Sequence, residues 1–273
     1  NMKRPPVDFC KMRLSMKAVH IQCLNEDKEA IKGAFATGFI VHENGQNFLL
    51  TCWHVVTGFD MHNVEVGRNL PNRKFLEINL QNCTKQPGII QVGGNQSTIL
   101  PLYDENNKPV WYQDVQDVPN HSLNNINLKV PFGHDAVRLL LPESITVFKD
   151  QLIKEDEILK YDNPIIGDKL YIVGYPYGYS ALGIEQPTPI VLTRFVAADR
   201  IKDRYSEMLL DGPGAPGMSG GPVFLEYYDS LLLVGIYTGL IYPDYSLEKY
   251  EKTTALGTMS NLSIWWSMQK IRK

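Results

Sequence analysis

The sequence predicts an all-β protein, and three observations carry that prediction. Short apolar segments recur along the chain, and clusters of glycine, proline, asparagine or aspartate separate most of them. The sequence shows no amphipathic helices between these segments, as parallel strands would need for their connections. Apolar residues make up 44% of the 273 residues, which is enough for a sizeable buried core. Together these features favour a β-barrel or a β-sandwich.

The predicted strands begin with residues 16–24, 34–41 and 47–53, the first of which alternates between apolar and polar side chains. Asn44-Gly45 stands between the second and third of these segments and is a strong signal for a tight hairpin turn. Later apolar segments predict strands at residues 89–92, 99–103, 136–141, 169–173, 190–197, 208–210, 223–225 and 231–237.

Three further regions have other characters. Residues 58–131 are rich in asparagine and glycine, and they predict long surface loops around a few strands. Residues 262–273 predict a C-terminal helix, because a partial apolar stripe is followed by basic residues where the helix dipole favours cations. If the chain forms two subdomains, we expect their join near residues 141–162.

Composition and charge exclude several classes of partner. A net charge of −3 and a pI of about 6.1 argue against nucleic acid, since a general grip on phosphates needs a basic surface. No apolar run approaches the roughly 18 residues of a membrane span, so we expect no membrane partner. We expect a cytoplasmic protein with reduced thiols, unless an export signal has been removed. No C-x-x-C spacing occurs among the four cysteines, which are Cys10, Cys23, Cys52 and Cys83.

The segment GMSGGPV at residues 217–223 is the strongest candidate for chemistry. Glycines hold Ser219 on a tight turn, where the N–H groups of Gly217 and Ser219 can point into one small space, as an acyl-transfer oxyanion needs. The string also fits the G-x-S-x-G motif of α/β-hydrolases, but that fold needs a histidine after the serine, and the last histidine is His134. Subtilisin order would need a helix after the serine, whereas Pro222 and the apolar residues after it indicate a strand.

The remaining order for such a catalytic set is histidine, aspartate and then serine. This order places the histidine just after an apolar strand, and His54 follows such a segment. It places the aspartate at the start of another apolar strand, and Asp135 stands before the apolar residues 136–141. The sequence therefore supplies all three side chains in a consistent order.

Five segments resemble, in family order, the motifs of chymotrypsin-fold serine proteases. The similarity is greatest to the bacterial type, including the high-temperature-requirement proteases, which commonly read LT-x-x-HVV around the histidine. It covers roughly residues 30–262 and implies a single trypsin-like peptidase domain over 1–273. That domain has two antiparallel six-stranded β-barrels, at about 15–145 and about 160–262, with the C-terminal helix after them. The five segments are LTCWHVV at 50–56, DAVRL at 135–139, LYIVGYP at 170–176, GMSGGPV at 217–223 and LLVGIYT at 232–238.

The resemblance implies a catalytic triad. Ser219 is expected to be the nucleophile and His54 the general base and then the general acid, while Asp135 orients the imidazole. The N–H groups of Gly217 and Ser219 are expected to form the oxyanion hole. No two histidines have H-x-x-x-H spacing, so no metal site is predicted, and the reaction needs no cofactor. Nearby groups compete with the aspartate for its role, namely His134, Asp114 and Asp117.

The resemblance also implies a substrate-binding pocket. Pro213 stands at its base, and Thr238, Gly239 and Leu240 form the opposite wall. No acid at the base is available to pair with a substrate lysine or arginine, and Leu240 narrows the pocket. We therefore expect a protein or peptide substrate with a small or medium apolar residue before the cut, although the nearby Asp211 weakens that expectation.

Departures from the family pattern leave alternatives open. Residues 58–131 are longer than in many bacterial members, and no PDZ-like segment follows the barrels. Met218 replaces the aspartate with which secreted trypsins bind a newly cut N-terminus. The chain is therefore expected to be an active endopeptidase, or a latent one that needs a regulatory protein partner to order its oxyanion turn. A catalytically silent, protease-like binding module is the remaining alternative.

Overall fold

The computed structural model describes residues 13–59, 73–86, 89–113, 134–160, 162–178, 189–199, 207–228, 230–241 and 256–262. Within these ranges the protein is all-β, with one short α-helix, α1 (Trp53–Thr57), and three 3-10 helices at Leu14–Met16, Glu155–Glu157 and Pro176–Gly178. The C-terminal helix predicted for residues 262–273 falls, beyond Leu262, outside the described residues.

The first half of the chain forms an eight-stranded sheet. Its strands are β1 (Val19–Leu24), β2 (Ala30–Glu43), β3 (Gln46–Thr51), β4 (Phe75–Gln86), β5 (Ile89–Pro101), β6 (Tyr112–Gln113), β7 (Val137–Leu140) and β8 (Leu152–Lys154). They lie in the order β5-β4-β1-β2-β3-β7-β6, and β8 pairs with β2. The β2–β8 pair is parallel, and the other pairs of this sheet are antiparallel.

This sheet differs from the six-stranded barrel expected for residues 15–145, because its described strands curl but do not close into a ring. Strands β4 and β5 form a long hairpin in the region interpreted as loops around a few strands, where only residues 89–92 and 99–103 were predicted as strands. Leu76, Ile78 and Leu80 alternate along β4 and are buried, while the residues between them are half-buried. Such a strand has one face on the core and one partly in solvent. Polar residues therefore make up about half of β4, and its sequence did not predict a strand.

The second half forms the closed six-stranded barrel that the resemblance implied. The strand β14 was not predicted, because small and polar residues dominate its sequence, yet it closes the ring by pairing with β11 and β13. In ring order the strands run β10-β11-β14-β13-β12-β9, where the bounds are β9 (Lys169–Gly174), β10 (Ile190–Asp199), β11 (Glu207–Leu210), β12 (Pro222–Tyr227), β13 (Ser230–Ile241) and β14 (Leu256–Asn261).

The two halves pack directly against each other. The apolar core of the first sheet also includes side chains from the barrel, among them Val173, Phe224 and Ile236. A second cluster fills the interior of the barrel itself. One closed barrel against a curled sheet is compatible with a chymotrypsin-like fold. No helix in the described part of the chain has the length and apolar character needed to cross a bilayer.

The closed barrel predicts different costs for one substitution at two positions. Ile172 on β9 pairs with both β10 and β12 and is fully buried, whereas Ile166 is 65% exposed. We expect Ile172→Ala to lower the free energy of unfolding by about 2–5 kcal/mol, because it leaves a cavity. Ile166→Ala should change it by about 0.5 kcal/mol or less. Urea denaturation measures both values, and equal losses would contradict the closed barrel.

Candidate active site

A cleft of about 450 Å³ lies between the two halves and contains residues from both. His54 and Asp135 reach it from the first half, and Ser219 from the second. The predicted wall residues Thr238, Gly239 and Leu240 also line it, whereas Pro213 and Gly217 are not among its lining residues. The full lining is His54, Gly58, Phe59, Arg73, Asp135, Glu207, Ala215, Pro216, Ser219, Tyr237, Thr238, Gly239, Leu240 and Thr258.

His54 is held by both oxygens of one carboxylate. It lies on α1, which begins directly after β3, and its backbone N–H donates to Asp135 Oδ1 at 3.0 Å. Its ring nitrogen Nδ1 lies 2.5 Å from Asp135 Oδ2. An ionised carboxylate only accepts hydrogen bonds, so Nδ1 carries the proton, and in the neutral ring Nε2 is left as the basic nitrogen. The carboxylate therefore sets both the position and the tautomer of the imidazole.

Strand β14 forms hydrogen bonds with Asp135 and with the residue before it. The backbone N–H of Asp135 donates to Ser260 Oγ at 3.2 Å. The neighbouring His134 is buried, and its Nε2 lies 2.9 Å from the carbonyl oxygen of Asn261, to which it donates. His134 thus ties the residue before Asp135 to the end of β14. The other two competitors for the acid role, Asp114 and Asp117, fall outside the described residues.

The turn before the serine has a defined geometry. Met218 N–H donates to the carbonyl oxygen of Ala215 at 3.0 Å, and Gly217 has a φ of +94°. Proline at the second position of a turn and a positive φ at the third are the marks of a type II turn, here with Pro216 and Gly217. A type II turn faces its central peptide opposite to the direction in a type I turn, and the N–H of Gly217 belongs to that peptide. The turn type therefore decides where this N–H points.

Glycines are required in this segment for steric reasons. A Cβ on Gly217 would lie 2.5 Å from the carbonyl oxygen of Tyr175 and 2.8 Å from the ring of Phe35. A Cβ on Gly220, where φ is +88°, would overlap the carbonyl oxygen of Thr37. Within the described part of the chain, no protein group accepts a hydrogen bond from the N–H of Gly217 or Ser219. Neither of these two donors is therefore engaged by the described part of the protein.

Thr37 is a site residue that the sequence analysis missed. Its side chain is fully buried, and its Oγ1 donates to the carbonyl oxygen of Gly217 at 2.7 Å while accepting from Tyr175 N–H at 3.0 Å. Its backbone N–H donates to the carbonyl oxygen of Ser219 at 2.9 Å. One residue of β2 therefore holds both sides of the serine turn. A polar side chain inside an otherwise apolar strand is the sequence signal that could have identified it.

The hydroxyl of Ser219 donates to the carbonyl oxygen of Thr238 at 3.2 Å. Its proton is thus directed toward β13 rather than toward His54 in this structure. A staggered side chain can exchange between wells by rotation about χ1. Rotation about χ1, or of the hydroxyl about its own C–O bond, would direct this proton elsewhere.

Cys52 lies beside the hydrogen-bonded pair of His54 and Asp135, here called the dyad. Its Sγ is within 4.8 Å of a ring nitrogen of His54 and a carboxylate oxygen of Asp135. Cys52 is fully buried, and its thiol lies 3.3 Å from the carbonyl oxygen of Tyr237, to which it donates. Burial raises the pKa of this thiol well above its ordinary value, and the charge of Asp135 adds to the effect. Metal binding needs a thiolate and a free imidazole nitrogen. This chemistry favours a hydrogen-bonded dyad over a metal site, and it makes Cys52 a poor nucleophile.

Two charged residues of the cleft also escaped the sequence analysis. Arg73 donates from Nη1 to the carbonyl oxygen of His54 at 2.9 Å and to that of Val55, so it satisfies carbonyls at the end of α1. Glu207, on β11, is 3% exposed and lines the cleft from the barrel side. Neither residue belongs to one of the five motifs, so the sequence did not predict that either would line the cleft.

Comparison with models of known protein families gives no match, and comparison with curated proteins gives none either. The functional assignment therefore depends on the geometry of the cleft.

The bridging role of Thr37 predicts a specific pattern of stability. Thr37→Val keeps the shape of the side chain but leaves the Gly217 carbonyl and the Tyr175 N–H without their partner. We expect it to lower the free energy of unfolding by about 1–3 kcal/mol. Thr37→Ser keeps the hydroxyl and loses one methyl group, so it should cost about 1 kcal/mol. Urea denaturation compares them, and a valine variant as stable as the wild type would contradict the bridge.

Proposed function

We propose that this protein is a serine endopeptidase of chymotrypsin-like fold, with His54, Asp135 and Ser219 as its triad. The observation that carries the proposal is the 2.5 Å hydrogen bond between His54 Nδ1 and Asp135 Oδ2, in the same cleft as Ser219. The unengaged N–H groups of Gly217 and Ser219 support it further. A serine is a weak nucleophile without a base, and this cleft offers it an oriented one.

Each step of the proposed reaction uses one of these groups. Ser219 Oγ attacks the substrate carbonyl carbon while His54 Nε2 takes the hydroxyl proton, and Asp135 stabilises the resulting imidazolium. The N–H groups of Gly217 and Ser219 bind the oxyanion. His54 then gives the proton to the leaving amine, and an acyl-enzyme remains. A water molecule then attacks the acyl-enzyme, and His54 takes a proton from this water and returns it to Ser219 Oγ. The acid product is released and Ser219 is restored.

The proposed substrate is an extended protein or peptide segment. Among the strands that the structure describes, residues 239–241 of β13 pair with β14 alone, which leaves their other edge for a substrate backbone. An added strand would gain main-chain hydrogen bonds there, and side-chain pockets would supply specificity. The cleft wall at Leu240 favours a small or medium apolar residue before the scissile bond.

One observation favours a latent form of the same enzyme. The Ser219 hydroxyl donates to the Thr238 carbonyl, so the resting serine is not yet bonded to its base. A regulatory protein that contacts the cleft could favour the reactive rotamer. A silent binding module would keep the cleft and lack an activated serine, so reactivity of Ser219 distinguishes these alternatives.

A fluorophosphonate probe tests the proposal directly. Attack by Ser219 Oγ on phosphorus releases fluoride, and the hydroxyl proton passes to His54, so labelling reports both the nucleophile and its base. We expect the wild type to be labelled, and labelling to fall by at least about 1,000-fold in Ser219→Ala and in His54→Ala. Ser230→Ala is the matched control, because Ser230 is an exposed serine of β13 away from the cleft, and it should label like the wild type.

Two results would contradict the proposal. Labelling that persists in Ser219→Ala would assign the reactive group elsewhere. A folded wild type that stays unlabelled, alone and with cell extract as a source of activating protein, would favour the silent binding module.

A further inference from the structure

The ring of Tyr237 occupies the space beside the serine turn. Tyr237 lies on β13, is 1% exposed, and belongs to the apolar cluster inside the closed barrel. Its hydroxyl oxygen accepts a hydrogen bond from the backbone N–H of Gly214 at 2.8 Å. The side chain therefore spans from one wall of the cleft to the segment that leads into the serine turn.

The proposed reaction fixes where the residue before the scissile bond must lie. The reacting carbonyl carbon lies at Ser219 Oγ, and the preceding substrate backbone runs along the free edge of β13 after Thr238. The side chain of that residue then points between the Ala215–Pro216 segment and the segment from Thr238 to Leu240. Both segments line the cleft together with Ser219 and Tyr237.

Little depth remains in this space. A Cβ built on Gly214 would lie 2.6 Å from both Cζ and the hydroxyl oxygen of Tyr237, so the ring is in direct contact with the backbone there. Pro213 lies beyond this contact, and its carbonyl oxygen accepts hydrogen bonds from Arg194. The position expected to form the pocket base is thus separated from the cleft by the tyrosine ring.

Displacing the ring would be unfavourable. Tyr237 would leave a packed barrel interior, and the N–H of the half-buried Gly214 would lose its acceptor. A large substrate side chain would need that displacement, whereas a hydrogen atom, a methyl group or a hydroxymethyl group would not. From this we infer that Tyr237 is the floor of the primary specificity pocket and selects glycine, alanine or serine before the scissile bond.

This inference rests on the proposed function and narrows it. The wall at Leu240 is compatible with a small or medium apolar substrate residue before the scissile bond. With Tyr237 as the floor of the pocket, medium residues no longer fit. Each extra methylene in a hydrophobic pocket changes discrimination by about 10–200-fold. Leucine exceeds alanine by three carbons and meets a filled space, so a preference of at least about 100-fold for alanine over leucine is expected.

The test uses the wild-type protein and peptide mixtures that share one randomised sequence and differ at one fixed position. That position holds glycine, alanine, serine, valine, leucine, phenylalanine or lysine. Mass spectrometry locates the cut, and kcat/KM is compared between mixtures, with fluorophosphonate labelling measured in parallel. The expected result is cleavage after glycine, alanine or serine, with leucine and phenylalanine at least about 100-fold slower.

Two variants test the tyrosine itself. Tyr237→Val removes the ring but keeps an apolar strand former, and cleavage after leucine should rise relative to alanine by about 10-fold or more. Tyr237→Phe keeps the ring and loses only the hydroxyl, so its preference for small residues should stay that of the wild type. If the valine variant does not fold, the wild-type peptide series still decides the inference.

The possible outcomes distinguish a failure of this inference from a failure of the proposed endopeptidase function. Labelling of Ser219 together with the fastest cleavage after leucine, phenylalanine or lysine would overturn the role of Tyr237 and leave the endopeptidase standing. A folded protein with neither labelling nor cleavage in any mixture would overturn both.

Discussion

The hydroxyl of Thr37 is the contact on which the geometry of the cleft depends. His54 and Asp135 belong to one half of the molecule and Ser219 to the other, so the hydrogen bonds across the interface fix the position of Ser219 relative to the other two. Thr37 donates to the Gly217 carbonyl and, through its backbone, to the Ser219 carbonyl. Such bonds contribute modestly when formed, but a buried group left without a partner costs more, which penalises any shift of the two halves.

Uncharged contacts also hold the residue just before the serine. Met218, which the resemblance aligns with the activating aspartate of secreted trypsins, is fully buried in the barrel core and carries no charge. The type II turn is instead held by the Thr37 bridge, by the fixed φ of Pro216, and by the steric demand for glycine at Gly217. The turn conformation is therefore set by neutral hydrogen bonds and packing within the fold.

The sequence could predict that His54, Asp135 and Ser219 meet in one cleft, because their chain order and local context are informative. His54 follows an apolar strand, Asp135 precedes one, and Ser219 stands between glycines. Strand β4 escaped prediction because only one of its faces is apolar, whereas β5 overlaps two predicted strands. Closure of the first barrel was expected from the family resemblance, and the described strands of that half do not close. Thr37 and Tyr237 lie in predicted strands, but whether a strand side chain meets a cleft depends on how the two halves pack, which local patterns do not contain.

The central claim is that the serine turn presents two N–H groups to an oxyanion beside an oriented base. A crystal structure of the protein with a peptide boronic acid tests it most directly, because boron forms a tetrahedral adduct with a reactive serine. The account predicts a bond from Ser219 Oγ to boron, with one boronate oxygen about 2.7–3.1 Å from the N–H groups of both Gly217 and Ser219. A boron bound elsewhere, or a turn whose Gly217 N–H faces away from that oxygen, would contradict it.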